Sequence, residues 1–107
     1  MYQITNTKQY KKDAKAMAKQ GKDRQKLVTV LELLAKGIPL DEQYKDHSLI
    51  NNWKGHRECH IEPDWLLIYK IDKKNNRLHL VRTGSHTELL ECLTVPQLNE
   101  KLKDILK

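Results

Sequence analysis

The sequence predicts an α+β domain: a helical hairpin at the N-terminus, packed on a small, mainly antiparallel sheet of about four strands, with a helix at the C-terminus. Three observations carry this. Two stretches in the first 36 residues place apolar side chains at helical spacing on either side of a glycine. Three runs between Trp53 and Thr83 are rich in aliphatic and aromatic residues and are separated by short turns. A last stripe of leucine and isoleucine near the C-terminus again repeats at helical spacing. At 107 residues, 38% hydrophobic and 32% charged, the chain can bury one modest core and folds as a single domain over 1–107.

Taken in order, Tyr2 to Thr5 reads as a short first strand, and Asn6 or Thr7 can cap a helix running to about Gln20. On that helix Lys8, Lys12, Lys15 and Lys19 form one stripe, with Tyr10, Ala14 and Met17 on the other side. Gly21 stops it. A second helix, from about Asp23 to Lys36, carries Leu27, Leu31 and Leu34 on one face and ends at Gly37 and Pro39. Leu40 to Asn52 is irregular. Trp53 to Ile61, Trp65 to Ile71 and Leu78 to Thr83 then read as three strands, and their short connections make them an antiparallel meander. Thr94, Pro96 and the stripe of Leu98, Leu102, Ile105 and Leu106 mark a terminal amphipathic helix.

The formal charge is +6 and is unevenly placed. Residues 1–36 hold nine Lys/Arg against three Asp/Glu, whereas residues 37–107 hold eleven of each. A basic face of this kind concentrates polyanions, so nucleic acid is the first partner to consider; the plain alternative is a solvated helix face. The opening MYQITNTKQYKK has no apolar signal core, and no apolar run approaches bilayer thickness. A cytoplasmic address with no membrane partner is the expectation. Cys59 and Cys92 form no CxxC pair and read as reduced, small apolar residues.

All five histidines and both tryptophans fall between Tyr44 and Leu90. Imidazole titrates nearest neutrality, so clustered histidines can move protons without a metal. In the meander the turn at Pro63 sets His60 across from Asp64 or Trp65. Pairing Ile71 with Leu78 then brings Arg82 near Leu67 and Gly84 near Trp65. His60, Asp64, Arg82 and His86 thereby gather at one end of the sheet, with His47 in the preceding segment free to fold over it. His56 and His79 read as structural. Imidazoles, a carboxylate and a guanidinium suit cleavage of a phosphodiester by its own 2′-hydroxyl. One group deprotonates that hydroxyl, another protonates the leaving 5′-oxygen, and a cation offsets charge on the phosphorane. A zinc site at His56 and His60 is the weaker alternative, since their HxxxH spacing lacks the ligand pattern of a known type. No metal or other cofactor is expected.

In YKDH at Tyr44 to His47, WKGHRECHIEPDWLLIYKI at Trp53 to Ile71, and RTGSH at Arg82 to His86, the chain resembles the YafQ-type toxins of bacterial type II toxin–antitoxin systems, within the RelE/ParE superfamily. The resemblance extends over nearly the whole chain up to Leu90, which makes residues 91–107 an extension. It implies a RelE-like fold and a ribosome-dependent mRNA endonuclease that uses no metal and leaves a 2′,3′-cyclic or 3′-phosphate. It also implies a cognate antitoxin that holds the toxin inactive in a tight hetero-oligomeric complex. The family's active-site residues fall on His47, His60, Asp64, Arg82 and His86, with Trp65 beside them. On these positions the expected roles are His60 or Asp64 as base, His86 as general acid, Arg82 on the phosphorane and His47 holding the phosphate. Leu90 stands where the family often has a stacking phenylalanine, which bears on base preference. Lys8, Lys11, Lys12, Lys15 and Lys19 would contact 16S ribosomal RNA while the active site holds mRNA. Two rivals are a ParE-type toxin that inhibits gyrase without nuclease chemistry, which needs no proton-transfer cluster, and a non-catalytic RNA-binding module, for which the chain is poor in aromatics at 6%.

Overall fold

The structure is a computed structural model, and it describes residues 1–50, 53–85 and 89. The helix expected over 91–107, together with His86 and Leu90, lies outside the described residues. The elements are β1 (Gln3–Asn6), α1 (Lys8–Lys19), α2 (Arg24–Ala35), a single 3₁₀ turn (Glu42–Tyr44), β2 (His47–Ser48), β3 (Arg57–Glu62), β4 (Trp65–Asp72) and β5 (Arg77–Gly84). They build a five-stranded sheet in the order β1-β5-β4-β3-β2, antiparallel except where β1 runs parallel to β5.

Local chemistry sets the helix ends. The Thr7 hydroxyl accepts from the Tyr10 amide at 2.9 Å, and Asp23 accepts from the Gln25 amide at 2.9 Å, so each helix starts on a side-chain cap. Both helices stop in the same way. Gly21 at φ +82° and Gly37 at φ +71° take the left-handed conformation that a Cβ would penalise. Their amides and the next residue's then bond back into the last turn, from Gly21 to Ala18 and Lys22 to Met17, and from Gly37 to Leu34 and Ile38 to Leu33.

The two faces of the sheet bury different clusters. Tyr10, Met17, Val30, Leu34 and Ala35 from the helices pack on Cys59, Ile61, Trp65, Leu67, Tyr69, Leu78 and Leu80. On the opposite face Leu66 and Ile68 pack with Leu49 and Leu89, flanked by Trp53 and Val81. Covered on both sides, β4 is buried continuously from Trp65 to Tyr69, as a central strand should be. Burial raises the Cys59 thiol well above its ordinary range, which leaves it a packing group and not a nucleophile.

Two irregularities correct the expected register. Ile71 does pair with Leu78, but the extra residue Val81 shifts the pairing, so Arg82 faces Ile68 and Gly84 faces Leu66. Between β3 and β4 a second shift at Ile61 sets His60 opposite Leu66 and Glu62 opposite Trp65. The strand expected from Trp53 begins at Arg57, because Trp53 to Gly55 form a turn with Gly55 at φ +90° and the His56 amide bonded to the Trp53 carbonyl. The segment Leu40 to Asn52, expected to be irregular, holds the 3₁₀ turn and the two-residue β2, which is the fifth strand. Among the described residues no helix is long and apolar enough to cross a membrane.

Candidate active site

The face of the sheet turned away from the helices carries a row of residues directly opposite one another on four strands: His47 on β2, Glu58 on β3, Ile68 on β4 and Arg82 on β5. His60 lies two residues along β3 from Glu58 and therefore on the same face. The His47 and His60 rings approach to 6.4 Å between centroids, tilted by 44°.

His47 is held in a defined state. Its Nδ1 lies 2.6 Å from the Lys45 carbonyl oxygen, which can only accept, so Nδ1 carries the hydrogen. The other ring nitrogen, Nε2, faces Glu58 Oε1 at 3.5 Å. Glu58 is 2% exposed, an acid withheld from water beneath an exposed imidazole. Arg82 is anchored from the other side. Its Nε donates to Asp13 Oδ2 at 2.7 Å and its Nη2 to Asp13 Oδ1 at 3.2 Å. Asp13 also accepts from the Thr83 amide at 3.2 Å, and Thr7 donates to the Val81 carbonyl, so α1 supplies partners to β5 beyond the point where β1 ends.

The expected site residues are only partly brought together. His47, His60 and Arg82 share the face, while Asp64 lies exposed in the turn between β3 and β4. Trp65 requires a correction: it is 1% exposed, on the helix-facing side, with Nε1 donating to Thr83 Oγ1 at 2.9 Å. The bulge at Ile61 turns its side chain to the face away from His60. His56 bonds the Trp53 carbonyl at 3.2 Å and His79 bonds Thr5 at 2.7 Å, the structural roles expected of both. Lys8, Lys11, Lys12, Lys15 and Lys19 are all exposed. Among the described residues no group of three or more His, Cys, Asp and Glu side chains is placed to hold a metal ion.

A cleft of about 440 Å³ opens beside His60, bounded by Lys26 and Thr29 on α2, by Gln43 and Tyr44, and by Glu62 and Pro63. Lys26 and Lys22 pair with Glu62 at 2.8 and 3.4 Å, tying α2 to the end of β3 and holding that carboxyl below its usual range.

Glu58 and Asp13 also stand at this site, outside the histidine cluster that marks it in the sequence. Each had a signal. Glu58 precedes His60 by two in a strand, and Asp13 falls at i+3 from Tyr10 and i−4 from Met17, on the buried stripe of its helix.

Residues 2–91 match the family described as the bacterial toxin of type II toxin–antitoxin systems, YafQ. The chain is 48% identical to the mRNA interferase toxin YafQ of Escherichia coli over 82 residues, which cover 76% of this chain and 87% of that protein. Its structure is similar to that of a metal-bound toxin from Helicobacter pylori, with a TM-score of 0.79, 47% identity, and coverage of 83% of this chain and 99% of that one. It is also similar to a chain of the E. coli DinJ–YafQ complex, with a TM-score of 0.76, 42% identity, and coverage of 83% and 98%. The chain belongs to the YafQ family of bacterial toxins of type II toxin–antitoxin systems.

Proposed function

We propose that this protein is an mRNA interferase that cuts mRNA on the ribosome, by attack of a ribose 2′-hydroxyl on the adjacent phosphate. The observation that carries this reading is the pair of imidazoles, His47 and His60, 6.4 Å apart on the face that also holds Glu58 and Arg82. A proton-transfer group works within about 3 Å of its target, and two rings this close can both reach one phosphodiester lying across them. His60 or Asp64 takes the 2′-hydroxyl proton, and His86 returns one to the 5′-oxygen. His47 meets the phosphate through Nε2. Arg82, oriented by Asp13, offsets the charge gathered on the phosphorane. Leu90, in place of the family's frequent phenylalanine, bears on base preference.

The protein acts in the cytoplasm, where a cognate antitoxin holds it inactive in a hetero-oligomeric complex. The E. coli relative with which it shares 42% identity was solved in complex with DinJ. Exposed lysines along α1 suit contact with 16S ribosomal RNA.

The test is cleavage of a defined transcript on translating ribosomes by the wild type, His60→Ala and His86→Ala. Each variant should be slower by about 100-fold or more, the usual contribution of a positioned acid or base. Intact transcripts with the wild type would sink the nuclease reading, and wild-type cutting by both variants would sink the site.

A further inference from the structure

We propose that Asp46, Arg57 and Tyr69 form a clamp that positions His47 from the opposite face of the sheet. The inference rests on the nuclease reading for its effect on rate, but the geometry stands apart from it. Side chains alternate in a strand, so Asp46 and Ser48, on either side of His47, point toward the helix-facing side while His47 points to the other. Both neighbours are seized there by one residue of β3. Arg57 donates through Nη2 to Asp46 Oδ2 at 3.1 Å, through Nε to Asp46 Oδ1 at 3.3 Å, and through Nη1 to Ser48 Oγ at 2.9 Å. The guanidinium thus reaches both neighbours of His47 across the β2–β3 pairing.

Tyr69 closes the clamp from β4. Its ring lies in the core and its hydroxyl donates to Asp46 Oδ1 at 2.5 Å. Burial and the Asp46 carboxylate both raise the Tyr69 hydroxyl well above its ordinary range, and the same carboxylate raises Arg57, so both donors keep the protons they give to the clamp. The need for a clamp is local. β2 is two residues long, and it follows Lys45, a non-glycine residue at φ 47° and ψ 43°. A strand this short cannot fix a side chain by its own ladder, and a Cβ penalises the left-handed conformation of Lys45. Asp46, bound on two sides, holds that turn in place, which keeps the Lys45 carbonyl under His47 Nδ1 and directs Nε2 over the catalytic face.

Acting through His47 gives the clamp a signature that plain stabilisation lacks. Asp46→Asn retains the shape but presents an amide NH₂ or a weaker acceptor to Arg57, and Arg57→Lys loses the fork. In single-turnover cleavage on ribosomes each should slow the chemical step by about 10- to 100-fold, the scale of a small misplacement of a reacting group, with half-saturation moved less than about twofold. In a His47→Ala background the same substitutions should cost nothing further, because the residue they position is gone. Equal slowing in both backgrounds, or none in either, overturns the proposal.

A second reading is independent of activity. Long-range proton–nitrogen NMR of the free toxin should show the His47 hydrogen fixed on Nδ1 in the wild type and exchanging between the two nitrogens in Tyr69→Phe and Asp46→Asn. If the wild type does not cut mRNA but this tautomer changes as stated, the clamp stands and the nuclease reading falls. An Nδ1 hydrogen unaffected in both folded variants overturns the clamp whatever the activity.

Discussion

Asp13 is the acid that the basic N-terminal helix cannot spare. Its carboxylate accepts from Arg82 Nε and Nη2, from the Thr83 amide and from Gln9 Nε2 at 3.0 Å, so its lone pairs are filled while it is largely buried. Asp13→Ala removes the partner of a guanidinium whose side chain is 15% exposed and strands the Thr83 amide. Breaking a buried ion pair by deleting one partner costs about 3 kcal/mol, so the melting temperature should fall by several degrees. Cleavage by the folded fraction should fall with it, because Arg82 loses the group that aims it. A melt superimposable on the wild type would show that Asp13 does not anchor Arg82. Composition hides such a residue, since among the surrounding lysines it reads as one more surface charge. Helical spacing reveals it, because it falls in line with Tyr10 and Met17.

Register decides which strand residues can share a face, and here two one-residue shifts act together. With Arg82 opposite Leu67, an uninterrupted meander puts His60 on the same face if it lies across from Trp65 and on the other face if it lies across from Asp64. The bulges at Ile61 and Val81 instead put His60 opposite Leu66 and Arg82 opposite Ile68, on one face. The shared face of His60 and Arg82 was therefore only half legible from spacing, which left His60 opposite either Asp64 or Trp65 and put it on the face of Arg82 only in the second case. The fate of Trp65 was not legible, because a single extra residue reverses the direction of a side chain and strand propensity does not mark where that residue falls. Nor was β2, since two residues have no period to detect. Trp65 is accordingly a structural residue, joined through Thr83 to the Leu66 carbonyl. Trp65→Phe should lower stability by about 1–3 kcal/mol through the lost hydrogen bond and partly filled space, while the folded variant cuts at the wild-type rate. Slower cutting with an unchanged unfolding curve would return Trp65 to the substrate.

At the scale of the whole molecule, charge is segregated from chemistry. The +6 of the chain resides in residues 1–36, whereas His47, Glu58, His60 and Arg82 lie on the sheet, and the sequence from residue 37 onward balances to zero. Such a division lets the protein gain encounter rate and affinity for a polyanion from one surface without filling the active face with lysines that would compete for the scissile phosphate. The exposed lysines of α1 make no hydrogen bond or ion pair that the fold depends on among the described contacts, and Tyr10, Asp13 and Met17 keep the helix seated from its other side. The double reversal Lys12→Glu and Lys15→Glu should therefore leave the melting temperature within a degree or two while weakening ribosome binding. The weakening should be greatest at low salt, because each phosphate contact contributes about 0.7–0.9 to the slope of log affinity against log salt. Two lost contacts make the plot shallower by about 1.5, and the curves of the variant and the parent converge as salt rises. Parallel lines would mean that the reversed charges act through the fold and not through contact with RNA. Coincident lines would mean that this face of α1 does not meet the ribosome at all.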